Sequence, residues 1–287
     1  MVWYAVRVAK PNSIELPGVD PIAILYEDRS VLAIDKPRGW MLVPFSWQKT
    51  QRNLQAAIVS SIAAGDFWAR SRGLKFLRFV HRLDADTSGV MLFAKSQGAV
   101  ESYSELFESR QMEKTYLAAV HGEPRQKEWT CRLSLAPDPK RIGRIIVDAQ
   151  EGKEAETSFQ LLQTIDRSAG VTRAVALHTI RATKPASATP PRPAATGTLA
   201  RRSLIEAHPY TGRTHQIRVH LAESGCPCVG DMFYGKPDKC ELGLRAVRLA
   251  YSDPFTRKRI EVRAPVDGFC REYGFDIPPR QGTLPRS

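Results

Sequence analysis

Acidic residues are scarce in this chain, and several features that would tie it to a metal, a nucleotide cofactor or a membrane are missing. Thirty aspartates and glutamates stand against 42 lysines and arginines, a formal net charge of +12 over 287 residues. Such an excess favours a polyanionic partner, nucleic acid or an anionic membrane surface; the plain alternative is a basic surface kept for solubility. The five cysteines, Cys131, Cys226, Cys228, Cys240 and Cys270, are odd in number and loosely spaced. This argues against a disulfide framework and for a reducing compartment. Cys226 and Cys228 are one residue apart, with no second pair to match, and His208, His215 and His220 do not make the HExxH arrangement. A zinc site is therefore not expected. There is no Walker A loop and no dinucleotide fingerprint, and Ser88 lacks a GxSxG setting. No apolar run is long enough to span a bilayer, and Met1–Pro11 is not built like a secretory signal. The expectation is a soluble cytoplasmic protein, by default a monomer, with no metal, cofactor or membrane partner.

What is present is an ordinary globular composition, 43% apolar and 25% charged. Ile22–Tyr26 and Val31–Asp35 are apolar runs around a polar turn and predict a β-hairpin. Asn53–Ala64 carries Leu54, Ala57, Ile58 and Ile62 at helical spacing, with Gly65 to end it. Gly89–Ala94 reads as a strand. Ser96 can cap a helix whose buried face holds Val100, Tyr103, Leu106 and Phe107. Thr115–Val120 is a further strand. Beyond Trp129 the pattern turns to β, with candidates at Ile145–Val147, Thr157–Leu162, Ala174–Ile180, Ser203–Ala207, Val247–Tyr251 and Ile260–Val262. Arg213–Ser224 reads as a helix. Residues 1–20 read as an N-terminal extension, 21–276 as the domain proper and 277–287 as a disordered tail. The Pro/Ala-rich Ala182–Gly197 is a flexible surface loop. Without a regular β-α-β alternation the class is α+β, with a mainly antiparallel sheet.

Three constellations can carry chemistry. In FVHRLDADTSG, Phe79–Gly89, Arg82 and Asp84 lie two apart in a polar loop between apolar runs. A carboxylate there can serve as nucleophile or general base, and a guanidinium can bind phosphate or stack on a base. Local physics alone favours the plainer reading, a turn with an ordinary surface ion pair. In TGRTHQIRVHLAESG, Thr211–Gly225, the residues Thr214, Ile217, Arg218 and Leu221 share a helical face. Ile217 and Leu221 then face the core, and Arg218 at the stripe's edge needs a carboxylate. Arg213 falls at the expected helix start, where free N–H groups favour phosphate. His215 and His220 read as polar-face residues without special duty. In EKTYLAAVHG, Glu113–Gly122, Tyr116 can stack on a base or be a plain core tyrosine.

In this order HRLDADTSGVMLFAK, EKTYLAAVHG and TGRTHQIRVHLAESGCPCVGDMFYG resemble the RluA-type family of RNA pseudouridine synthases. DKPRGWMLVP, Asp35–Pro44, is similar to that family's first strand and turn, and the resemblance runs from about Ile22 to about Tyr273. It implies a mixed, mainly antiparallel sheet with flanking helices and a central RNA-binding cleft. It also implies conversion of uridine to pseudouridine in ribosomal or transfer RNA, breaking C1′–N1 and making C1′–C5, without cofactor or metal. By position, Asp84 matches the catalytic aspartate and Arg82 the arginine that enters the RNA stem as the base leaves it. Tyr116 matches the tyrosine that stacks on the uracil, and Arg218 the basic residue paired with the catalytic aspartate. Ile217 is expected to help line the cleft.

Two departures stand out. Leu242-Gly243-Leu244-Arg245-Ala246 has Arg245 where the family often has histidine, and no S4-type RNA-binding domain is recognisable before residue 20. The competing expectation is an RNA-binding or chaperone protein with the same fold and no activity.

Overall fold

Apolar alternation and side-chain caps account for most of the elements. A computed structural model describes residues 10–16, 19–42, 52–166, 201–235 and 238–278. The chain divides into two units, Met1–Met112 with Ala250–Ala264, and Glu113–Leu249 with Pro265–Ser287.

In the first unit, β1 (Ser13–Ile14) pairs with β2 (Ile22–Glu27), which pairs with β3 (Val31–Lys36). The Asp28 carboxylate closes the β2–β3 turn by accepting from the N–H groups of Ser30 and Val31. Helix α1 (Leu54–Ala64) starts where Asn53 accepts from the Ala56 N–H and ends at Gly65, whose φ of +73° suits glycine. Short α2 (Phe67–Arg70) buries Trp68, whose indole donates to Ser61. The brief β4 (Arg78–Phe79) leads to β5 (Ser88–Ala94), buried at every residue and antiparallel to both β3 and β4. Helix α3 (Gln97–Glu108) is capped by Ser96.

In the second unit β6 (Glu113–His121), β7 (Glu128–Cys131), the hairpin β8 (Leu135–Pro137) and β9 (Ile145–Val147), β10 (Thr157–Asp166) and β11 (Arg201–Pro209) precede α4 (Gln216–Glu223). The order β6-β11-β10-β7 is antiparallel throughout. Ile217 and Leu221 of α4 pack on Ala118, Phe159 and Ile205. β12 (Leu244–Ser252) takes the chain back to the first unit, where β13 (Arg259–Arg263) pairs with it; α5 (Asp267–Tyr273) then belongs to the second. Phe269, Cys270 and Tyr273 of α5 join Leu117, Ile165 and Leu204 in another core cluster.

The expected α+β class and antiparallel pairing are found. The extension, by contrast, contributes β1, and α2 and α5 went unanticipated, both being short with little periodicity to read. On α3 only Ala99 and Tyr103 are fully buried, while Val100, Leu106 and Phe107 are half-buried. The expected strand Ala174–Ile180, the loop Ala182–Gly197 and tail residues 279–287 lie outside the described residues.

The returning segment is fastened to α3. The Tyr103 hydroxyl donates to the Asp253 carboxylate, and its ring meets Tyr251 edge-on at 5.6 Å. Asp253 also accepts from the Phe255 and Thr256 N–H groups, so the buried carboxylate is fully engaged. Tyr103→Phe should lower stability by about 1–2 kcal/mol, measured by urea unfolding.

Candidate active site

The loop carrying Asp84 is built on a buried lysine. Lys36 ends β3 with no exposed surface, opposite Gly89 at the start of β5. Its ammonium donates to the carbonyls of Pro37, Ala85 and Thr87 at 3.1, 2.8 and 2.9 Å. Three donors thus meet three acceptors, the condition for burying an ammonium without orphaning it. The Gly39 N–H also donates to the Ala85 carbonyl, and the Thr87 N–H to the Asp84 carbonyl, closing a turn from Asp84 to Thr87. Gly39 has a φ of +75°, which glycine adopts without strain. Burial pulls the Lys36 pKa down to about 8, opposed by the carboxylates of Asp84 and Asp86.

His81 anchors the other end. Its Nε2 accepts from the Leu92 N–H at 3.0 Å, so that nitrogen carries no proton, and its ring stacks on Phe107 at 4.5 Å. Between these anchors Arg82 is exposed, Leu83 is buried and Asp84 is half-buried. One apolar side chain pins the middle of the loop between an exposed arginine and a half-buried aspartate.

In the second unit Tyr116 lies on β6, half-buried against the cluster that holds Ile217. Its partner across β11 is Ala207. Arg218, only 4% exposed on α4, meets the carboxylate of Asp231, with Nε and Nη2 donating at 2.7 and 2.8 Å. Asp231 is buried as well and accepts from the N–H groups of Phe233 and Tyr234. The fork-to-carboxylate geometry fixes the guanidinium under the Phe233 and Tyr234 rings, at 5.6 and 5.3 Å from their centroids.

Two expectations about this segment are corrected. Helix α4 starts at Gln216, not Arg213, because the Gln216 carboxamide holds the preceding turn. It accepts from Thr211 and the Arg213 N–H and donates to the Glu156 carbonyl and Thr157. Thr214 is therefore off the helical face, and Arg213 lies outside the helix, exposed, donating to the Glu154 carbonyl. Nor are the two histidines idle polar-face residues. His220 is fully buried between Thr157 and the Leu133 carbonyl, and burial lowers its pKa. His215 is held at a φ of +54° with Nδ1 2.8 Å from the Tyr234 hydroxyl, a strained backbone of the kind found at functional sites.

Sequence reading passed over Lys36 and Asp231. The signal for Lys36 was a cation following the apolar run Val31–Ile34 within two residues, and for Asp231 an aspartate two residues ahead of an aromatic pair. Arg245, the departure from the family pattern, donates to the Pro265 carbonyl. Among the described residues no three His, Cys, Asp or Glu side chains gather as metal ligands, and no helix is long and apolar enough to cross a membrane.

The family pattern for RNA pseudouridylate synthase matches residues 30–223. The ribosomal large subunit pseudouridine synthase C of Yersinia pestis is 30% identical over 285 residues, 93% of this chain and 74% of the relative. Its namesake in Escherichia coli K12 is 31% identical over 256 residues, with the chain spanning 66% of that relative's length. Among solved structures, human RNA pseudouridylate synthase domain containing 1 shares the fold at a TM-score of 0.61 and 24% identity, covering 88% of this chain and 86% of its own.

Two substitutions test these supports. Lys36→Met leaves buried carbonyls without donors and should cut activity by about tenfold to 10²-fold through a displaced loop. A folded-state pKa near 8 lies below the unfolded lysine's 10.5, so the unfolded chain holds more protons between them. Stability contributed at Lys36 therefore rises with pH from about 8 towards 10, and Lys36→Met should lack that gain in urea unfolding across this window. Asp231→Asn strands a buried guanidinium and should cost about 3–5 kcal/mol in the same measurement.

Proposed function

The chain belongs to the RNA pseudouridylate synthase family, RluA type, and isomerises uridine to pseudouridine in RNA; we propose that Asp84 carries the reaction and that large-subunit ribosomal RNA is its substrate. The observation that bears most weight is the family match over residues 30–223, which takes in the HRLDADTSG loop. The names of the relatives support the choice of ribosomal RNA.

The target C1′ lies inside the stack of a base-paired stem, so the nucleotide must be extruded before chemistry. Arg82, exposed on the loop, is suited to fill the vacated position with a flat cation. Asp84 is proposed as the ionised group that reacts. A carboxylate has three possible first steps here: attack at C1′, addition at C6, or removal of the C2′ proton. Each ends in cleavage of C1′–N1, rotation of the uracil and closure of C1′–C5, with the C5 proton lost to solvent and a proton taken up at N1.

Tyr116 is proposed to stack on the uracil and assist a proton step, and Arg218 to supply positive charge for the ionised aspartate. Support for Arg218 comes from its fixed orientation on Asp231, which leaves little rotamer entropy to lose. Ile217 is proposed as a cleft-lining residue and Arg213 as a phosphate contact. The reaction is proposed to run without cofactor or metal, in the cytoplasm, on a monomer.

The test is tritium release from 5-[³H]uridine-labelled, unmodified large-subunit ribosomal RNA. Asp84→Asn should reduce release by about 10²–10⁴-fold or more while RNA binding persists. Equal release from wild type and variant would overturn the assignment of Asp84, and no release from wild type would overturn the substrate.

A further inference from the structure

The end of the first unit opposite the Asp84 loop holds a second concentration of charge. A cavity of ≈ 650 Å³ is lined by five cations, Lys10, Arg29, Arg72, Lys75 and Lys95, and by two carboxylates, Glu27 and Asp28. The two acids are already committed. Glu27 receives Arg72 at 2.8 Å and Lys95 at 2.7 Å, with Lys10 at 3.9 Å; burial pushes its carboxyl up, and Lys95 and Arg72 outweigh this and hold it below the usual range. Asp28 takes two backbone N–H groups of its own turn and the Tyr26 hydroxyl.

The remaining positive charge is not consumed. Arg29 and Lys75 are exposed and make no ion pair among the described residues. Arg72 is held rigidly, its side chain 3% exposed, by Glu27 and the carbonyls of Trp68 and Pro11. A cluster serving only to bury Glu27 would need two cations, not five around a solvent-open cavity. The surplus of three charges, part fixed and part free to move, suits an anion with several oxygens spread over neighbouring groups.

We propose that this cavity binds backbone phosphates of the substrate RNA away from the target uridine. This rests on the pseudouridine synthase reading and extends it to how the RNA is held. The seven residues of β5 run from beside the Asp84 loop to Ala94, next to Lys95, a span of roughly 20 Å. A folded RNA engaged at the loop can reach that far, whereas a mononucleotide cannot. The contacts are to phosphate and carry no base information, so they set register and affinity.

The experiment measures binding of the full chain to a transcript of large-subunit ribosomal RNA across a salt series. Arg29→Glu with Lys75→Glu alters exposed side chains only, and Lys127→Glu with Arg271→Glu, also exposed, serves as the control of equal charge. The cavity variant should lower the slope of log affinity against log salt by roughly one to two, relative to the control, as phosphate contacts are lost. A cavity-variant slope equal to that of the control overturns the proposal, including the case where the cavity serves an acidic protein instead. Wild-type tritium release is scored separately. Absence of release together with a lowered slope would sink the isomerase reading and leave the RNA site standing.

Discussion

A single ammonium, taken out of water, dictates the shape of the loop on which the proposed chemistry depends. Lys36 has no exposed surface and spends its donors on main-chain carbonyls at Pro37, Ala85 and Thr87. Moving any of these carbonyls would leave a buried charge short of a partner, a penalty far above the worth of a surface contact. The pairing of β3 with β5 places Lys36 opposite Gly89, so strand register and loop shape are set together. A slip of one residue would turn Lys36 to the other face of the sheet and take its support from the loop. The backbone around Asp84 is thus determined by a residue 48 positions earlier in sequence.

The second unit solves a similar problem with a network instead of one cation. Arg218 and Asp231 are both buried, and the pair is tolerable because the aspartate's remaining acceptor capacity is met by backbone N–H groups. Thr157 joins the network below it, accepting from Gln216 and donating to His220, which in turn donates to the Leu133 carbonyl. These polar residues sit beside the apolar Ile217 and Leu221, so α4 is fixed by packing on one side and by directed hydrogen bonds on the other. The outcome is a guanidinium whose direction is fixed by the fold, the preorganisation that the role proposed for Arg218 requires.

Much of this was legible in the sequence where the signal is local. The hairpin β2–β3, the cap Ser96, the stop at Gly65 and the strands β6 and β12 follow from alternation and capping chemistry. The wording of three motifs pointed to the family, and Asp84 was singled out from them. What escaped was non-local. Lys36 was passed over because its partners lie 49 and 51 residues on. Asp231 was invisible because the need for a carboxylate was read on Arg218, with nothing in the spacing to say which one answers it. The early helix start was misread because Arg213–His215 contains no helix breaker, while the Gln216 side chain holds this stretch out of the helix by tertiary contacts to Thr211, Glu156 and Thr157.

The fastening of Tyr103 to Asp253 spans 150 residues, and it bears on how the protein is made. The unit that carries Asp84 uses Met1–Met112 and then waits for Ala250–Ala264. On the ribosome most of this unit emerges first, yet its last strands appear only after strands β6 to β11 of the second unit have been synthesised. Closing so long a loop costs entropy that local contacts cannot offset, so the first unit stays incomplete through most of translation. Assembly of the Asp84 unit is therefore a late event, and a polypeptide released before residue 264 would lack the hairpin that closes it.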